Sequence, residues 1–169
     1  MRDRFCNRHV IDVDTGQVVC SSGDGALRSN AIGSCIVVAA YDHSNKRGGL
    51  AHILLPDSAP ANEKVKTKYA ADAIDMMIGE LDRAGTDIQD IEVCLVGAGN
   101  VLEKSDDTIC EKNIASVRRL LKERNIPVRK SVLGGTKRKF LYMDIESGRI
   151  YYSEDGGEEK LLWEPEKEK

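Results

Sequence analysis

Six consecutive apolar residues, "IVVAAY" from Ile36 to Tyr41, show neither the alternation of a strand with one wet face nor the spacing of an amphipathic helix. Bounded by Gly33 and Ser34 before it and Asp42 after it, the run reads as a buried strand. "GGLAHILLP" is a second run of this kind, and "HSNKRGG" between them supplies turn residues, so the two predict a buried hairpin. Strands buried in this way belong inside a layered architecture.

The rest of the chain alternates strand-like and helix-like segments. "HVIDV" alternates and is followed by the turn "DTG", which suggests "QVVC" as its partner strand. From Lys66 to Ala84 the apolar positions Tyr69, Ala73, Ile74, Met77 and Leu81 recur at helical spacing, and Gly85 sits where a C-terminal cap belongs. "DIEVCLVGAGN" reads as a strand entering a glycine loop, and a second helix is expected from Thr108 to Arg124, stopped at Asn125. "IPVRKSVLGG", "KRKFLYMDI" and "GRIYYSE" supply three more strands. Hairpins first, then two helices among further strands, predict a mixed α/β fold, a layered sandwich of mostly antiparallel hairpins with two main helices. At 169 residues one domain is expected. The charged, glycine-bearing stretch 154–169 is expected to fray, although Leu161, Leu162 and Trp163 offer an apolar handle for docking back.

Composition excludes several classes. A hydrophobic fraction of 41% with 31% charged residues is that of a globular protein, and no apolar run has the length needed to cross a bilayer. The N-terminus lacks the apolar core of a secretory signal, so the cytoplasm is the expected compartment. Net charge is -3 with both signs interspersed, and aromatic residues make up 5%, which offers neither a basic stripe nor stacking platforms for nucleic acid. Five cysteines, Cys6, Cys20, Cys35, Cys94 and Cys110, form no paired spacing, so free thiols are expected rather than a disulfide framework. Cys6 and His9 make a lone C-x-x-H half-site without a second half, and no metal is expected. "GAGNVLE" lacks the third glycine and the following helix of a dinucleotide site, so it reads as a tight loop; no cofactor is implied.

Cys35 differs from the other thiols because it stands at the mouth of an apolar run, where a turn becomes a strand. If the hairpin pairs Cys35 with His52, Val37 with Leu50 and Tyr41 with Lys46, a thiol and an imidazole face each other across the ladder. A nearby imidazolium lowers a thiol pKa, and the same ring can protonate a leaving amine, the division of labour in cysteine acyl transfer. His52 also needs an orienting group. Ser29 is the nearest candidate in sequence, through its hydroxyl or its carbonyl, although a plain loop serine reads equally well.

"SNAIGSC", the interval from Cys35 to His52 in "GGLAHILLPDS", then "TKYAADAI", "LVGAGNVLE", "CEKNIASV" and "LGGTKRKFLYMDIESGRI" resemble the CheD family, the chemoreceptor glutamine deamidases of bacterial and archaeal chemotaxis. The likeness spans 24–153, leaving 1–23 as an N-terminal extension and 154–169 as a tail. It implies a catalytic Cys35 and His52, with Ser29 at a position where the family usually has threonine. Ala31 stands where the family pattern usually has glycine. The resemblance implies methyl-accepting chemotaxis receptors as protein substrates, a CheC-type phosphatase as a partner, and conversion of receptor glutamines to glutamate through a Cys35 thioester. A glutamyl methyl ester would differ only in its leaving group. Gly33 is expected to give the turn backbone freedom and room beside the thiol, and the N–H groups of Ser34 and Cys35 to serve as oxyanion donors. Two other readings stay open, a regulatory binding module of the chemotaxis system and another cysteine amidohydrolase; for the latter a shallow, exposed Cys35 would favour a protein substrate and a deep apolar pocket a small one.

Overall fold

In the computed structural model, which describes residues 8–167, ten strands and two helices form a mixed α/β sandwich of two five-stranded sheets. The strands are β1 (Val10–Asp12), β2 (Val18–Ser22), β3 (Ala26–Ile32), β4 (Ile36–Asp42), β5 (Arg47–Ile53), β6 (Ile91–Gly97), β7 (Val128–Leu133), β8 (Lys139–Asp144), β9 (Ile150–Glu154) and β10 (Lys160–Trp163). The helices are α1 (Ala70–Arg83) and α2 (Ile109–Glu123). One sheet has the order β1-β3-β8-β9-β10 and the other β2-β5-β4-β6-β7.

The apolar run Ile36–Tyr41 lies in β4, the central strand of the second sheet. Every residue of β4 is buried, because its two faces meet different layers. Ile36, Val38 and Ala40 join Ala51 and Ile53 of β5 against Ile74, Met77, Val117 and Leu121 of the helices. Val37, Ala39 and Tyr41 point the other way, into a layer filled by Leu27, Ile32, Leu141, Met143 and Ile150 of the first sheet. The order is therefore sheet, sheet, helices, and alternation along one strand sorts its side chains between two cores.

Both helices stop where the sequence provides a left-handed residue, Gly85 after α1 and Asn125 after α2. Two expectations change. "HVIDV" and "QVVC" do not form a hairpin: β1 runs parallel to β3 in the first sheet, while β2 pairs with β5 in the second. The stretch expected to fray forms β10 against β9, and Trp163 packs edge-on to Tyr41 with ring centroids 6.5 Å apart. Burying the rings and aliphatic side chains of this end outweighs ordering a short polar segment. Cys6, half of the C-x-x-H pair, lies outside the described residues; Cys20, Cys35, Cys94 and Cys110 are free thiols. Among the described residues no helix is long and apolar enough to cross a membrane.

Candidate functional site

Cys35 lies one residue before β4, beyond the last rung of the β4–β5 ladder, Ile36 opposite Ile53. The register differs from the expected one by two residues: His52 is opposite Val37, not Cys35. The cause is the turn, which occupies His43 to Lys46, with Lys46 in the left-handed region at φ 49°. A shift by two preserves the face, since side chains alternate with a period of two. Extending the ladder's alternation by one residue puts Cys35 and His52 on the same inter-sheet face at diagonal positions, where neighbouring Cβ atoms are about 7–8 Å apart or somewhat less.

Both groups are buried, Cys35 at 9% exposure and His52 at 3%. Burial pushes the Cys35 thiol above its ordinary 9.0, against smaller lowering effects of the Thr15 side chain and the residue's own N–H. Burial likewise pulls His52 below 6.5, opposed by its bond to Val13 and the charge of Asp14. At neutral pH the resting pair is thus thiol and neutral imidazole, rather than the thiolate and imidazolium that proximity alone suggests.

His52 is oriented by the N-terminal segment that precedes the family likeness. Its Nδ1 lies 3.1 Å from the Val13 carbonyl oxygen, which can only accept, so Nδ1 carries the proton and Nε2 is the basic nitrogen. The backbone locks the same residue: Gly16 N–H donates to the His52 carbonyl at 2.8 Å, and His52 N–H donates to that of Gln17 at 3.0 Å. Ser29 is fully buried on β3, and its hydroxyl donates to the same Val13 carbonyl at 2.8 Å. Ser29 thus holds the acceptor that holds the ring; the hydroxyl is not the ring's own acceptor. Val13 and Thr15 escape sequence reasoning because a carbonyl has no residue-type signature, and a threonine in a turn is ordinary.

The turn ahead of the thiol is fixed through its carbonyls. Gly99 N–H donates to Gly33 O at 2.9 Å, Asn113 Nδ2 to Ser34 O at 3.1 Å and Ala98 N–H to Cys35 O at 2.6 Å. The "GAGN" loop is therefore a brace for this turn, consistent with its reading as a tight loop. Gly33 has no positive φ, and a Cβ there would make only an ordinary contact with Val101 Cγ2 at 3.8 Å, so neither the backbone freedom nor the room expected of this glycine is required here. Gly33 and Ser34 line an open cleft of about 470 Å³ together with Ala31, Asn100, Lys104 and Arg138.

Ala31 bears on that cleft's rim. The β3–β8 ladder shifts register between Ser29 and Ile32, and Ala31, inside this bulge, has φ 53°. A bulge with a left-handed residue favours glycine. Replacing Ala31 by glycine is expected to raise stability by about 1 kcal/mol, relief of the left-handed strain exceeding the entropy of the freer chain. Thermal or urea unfolding would check this, and a lower midpoint would contradict it.

Residues 54–154 match the family model described as CheD chemotactic sensory transduction, a stretch that begins two residues after His52. Over 151 residues, 89% of this chain and 75% of the relative, the sequence is 36% identical to the probable chemoreceptor glutamine deamidase CheD of Chlorobium luteolum. It is 28% identical over 149 residues to the chemoreceptor glutamine deamidase CheD of Thermotoga maritima, covering 88% of this chain and 94% of that one. A relative from Clostridium acetobutylicum, named a probable chemoreceptor glutamine deamidase CheD, is 33% identical over 70% of this chain and 75% of its own length.

Proposed function

The chain belongs to the CheD family, and from that membership and the site's geometry we propose that it deamidates glutamine side chains of methyl-accepting chemotaxis receptors in the cytoplasm, with Cys35 as nucleophile. The observation that carries the reading is the tie between His52 Nδ1 and the Val13 carbonyl, which leaves Nε2 basic on the face that Cys35 shares.

In the first step the Cys35 sulfur attacks the amide carbon as its proton passes to His52 Nε2. The developing oxyanion is met by the N–H groups of Ser34 and Cys35. The imidazolium returns that proton to the amide nitrogen, the carbon–nitrogen bond breaks, and ammonia leaves a thioester. Water then attacks the thioester carbon with its proton taken by Nε2; the carbon–sulfur bond breaks, the sulfur regains a proton and glutamate is released. Ser29 supports the ring through Val13. A glutamyl methyl ester would follow the same path, losing methanol in place of ammonia.

Burial of the sulfur favours a side chain as substrate over a main-chain bond. At 9% exposure Cys35 is not the shallow thiol that would by itself mark a protein substrate, so that part of the reading rests on family membership; a substrate side chain has to reach in from the cleft beside Gly33 and Ser34, while a peptide backbone would have to enter the layer between two sheets. The adjoining cleft, polar and apolar by turns, suits the flanks of a protein segment more than a small apolar ligand. A CheC-type phosphatase is the proposed regulatory partner.

Incubating the protein with a glutamine-bearing cytoplasmic receptor fragment, with peptide mass spectrometry as readout, tests the proposal. Conversion of amide to acid is expected with the native protein and not with Cys35→Ala. Equal conversion by both would reject Cys35 as nucleophile, and no conversion by a folded native protein would favour a binding module.

A further inference from the structure

Asn113 is a fully buried polar residue on the buried face of α2, which it shares with Cys110, Val117, Leu120, Leu121 and one other polar residue, Ser116, whose hydroxyl is paired with Asp57. Both hydrogens of its amide are used at a fork in the chain: Nδ2 lies 3.1 Å from Ser34 O and 3.1 Å from Leu54 O. Those two carbonyls flank the point where β4 and β5 part company. Their ladder ends at Ile36 opposite Ile53, and Leu54 N–H donates instead to Lys68 O. The side chain thus replaces the rung that the strands no longer make.

Its oxygen, by contrast, is buried without a protein partner. An unpaired buried acceptor is a standing cost that an apolar side chain would avoid, so the position is explained by what the amide donates. What it donates to matters because Ser34 C=O and Cys35 N–H belong to one planar peptide and point to opposite sides of it. Holding that oxygen aims that hydrogen.

We infer that Asn113 is a positioning residue that orients the Ser34–Cys35 peptide, so that the Cys35 N–H faces the oxyanion formed at the thiol. The inference rests on Cys35 being the nucleophile. The neighbouring carbonyls of Gly33 and Cys35 are held by backbone N–H groups of the Gly97–Asn100 loop, whereas Ser34 O is held by a side chain, which a substitution removes directly.

Two variants test it, Asn113→Leu, which keeps volume and removes both donors, and Asn113→Ser, which keeps one hydroxyl donor. With the receptor fragment as substrate, N113L is expected to lower kcat about 10- to 100-fold with KM within about twofold, because an oxyanion contact is made in the transition state. N113S should fall between N113L and the native protein. Iodoacetamide alkylation of Cys35, followed at its own peptide by mass spectrometry, supplies a readout that a purely structural role would leave alone. In N113L its rate profile should move to higher pH, since the N–H that eases ionisation of the sulfur is no longer held toward it.

Native kcat and an unshifted profile in N113L would overturn the inference, as would a change confined to KM. Loss of folding in both variants would assign Asn113 to the fold and overturn it equally. Retention of activity by Cys35→Ala would instead remove the reading of the nucleophile; the alkylation profile, which needs no catalysis, would still report whether Asn113 aims the peptide.

Discussion

His52→Gln is expected to leave a folded protein whose kcat on a receptor fragment is lower by about a thousandfold. Glutamine is the informative replacement. Its amide can donate to the Val13 carbonyl, as Nδ1 does now at 3.1 Å, so a buried acceptor keeps a donor. No atom of glutamine can take a proton from the thiol and return it to the leaving nitrogen. The pH profile should change with the rate. In the native protein His52 must be neutral to act as base, and burial holds its pKa below 6.5, so activity should rise with pH along a limb that lies below that value. In H52Q this limb should vanish, leaving a rate that climbs only as the thiol, pushed above 9.0 by burial, ionises unaided. A variant retaining activity within tenfold of native, or the native acid limb, would mean that another group serves as base.

That experiment depends on a neighbourhood only partly legible in the sequence. The two helices and the doubly buried β4 are written in side-chain periodicity, which is a direct record of which faces are covered. Register is not written so plainly. The expected ladder placed Cys35 across from His52, and the observed ladder is two residues out because Lys46 adopts φ 49°, a conformation lysine does not advertise. The parity survived, and with it the shared face. Pairing between sheets is hidden for a related reason: "HVIDV" and "QVVC" flank a turn and look like a hairpin, yet each strand finds its partner in a different sheet. Alternation tells which side of a strand is buried but not which strand lies beside it. The segment 1–23, to which the family resemblance assigned nothing, supplies the Val13 carbonyl and the Thr15 side chain at the site. Backbone oxygens are common to every residue, so no residue type marks the one that orients a histidine. Charge and glycines predict fraying for the tail, which instead forms β10, with Trp163 of its apolar handle packed against Tyr41.

Gly97→Ala should be severely damaging, because it strikes fold and site together. Gly97 ends β6 opposite Ile36 and has φ 129°, a conformation side-chain-bearing residues rarely adopt. A Cβ there would fall 2.3 Å from the Cys35 carbonyl oxygen, 2.7 Å from Ile32 Cγ2 and 3.2 Å from Ile36 Cα. Two of these three obstacles are backbone, one in the turn just before β4 and one at the first residue of that buried central strand, so no rotamer change can clear them. The strain and overpacking together should cost about 3 kcal/mol. For a chain of this size that corresponds to a Tm lower by roughly 6–12 °C. The catalytic loss should exceed what stability explains, since β6 can yield only by moving Cys35 or by breaking the 2.6 Å bond from Ala98 N–H to Cys35 O. Displacing a reacting atom by about 1 Å can reduce rate a hundredfold. Gly156→Ala is the matched control: Gly156 also has a positive φ, 73°, but a Cβ there has nothing within 4 Å, so it isolates the conformational strain at about 1 kcal/mol with kcat unchanged. If G97A and G156A lost equal stability and G97A kept native kcat, the close approach of β6 to the nucleophile's turn would have no energetic consequence, and the "GAGN" loop could not be the brace that holds Cys35 in register with His52.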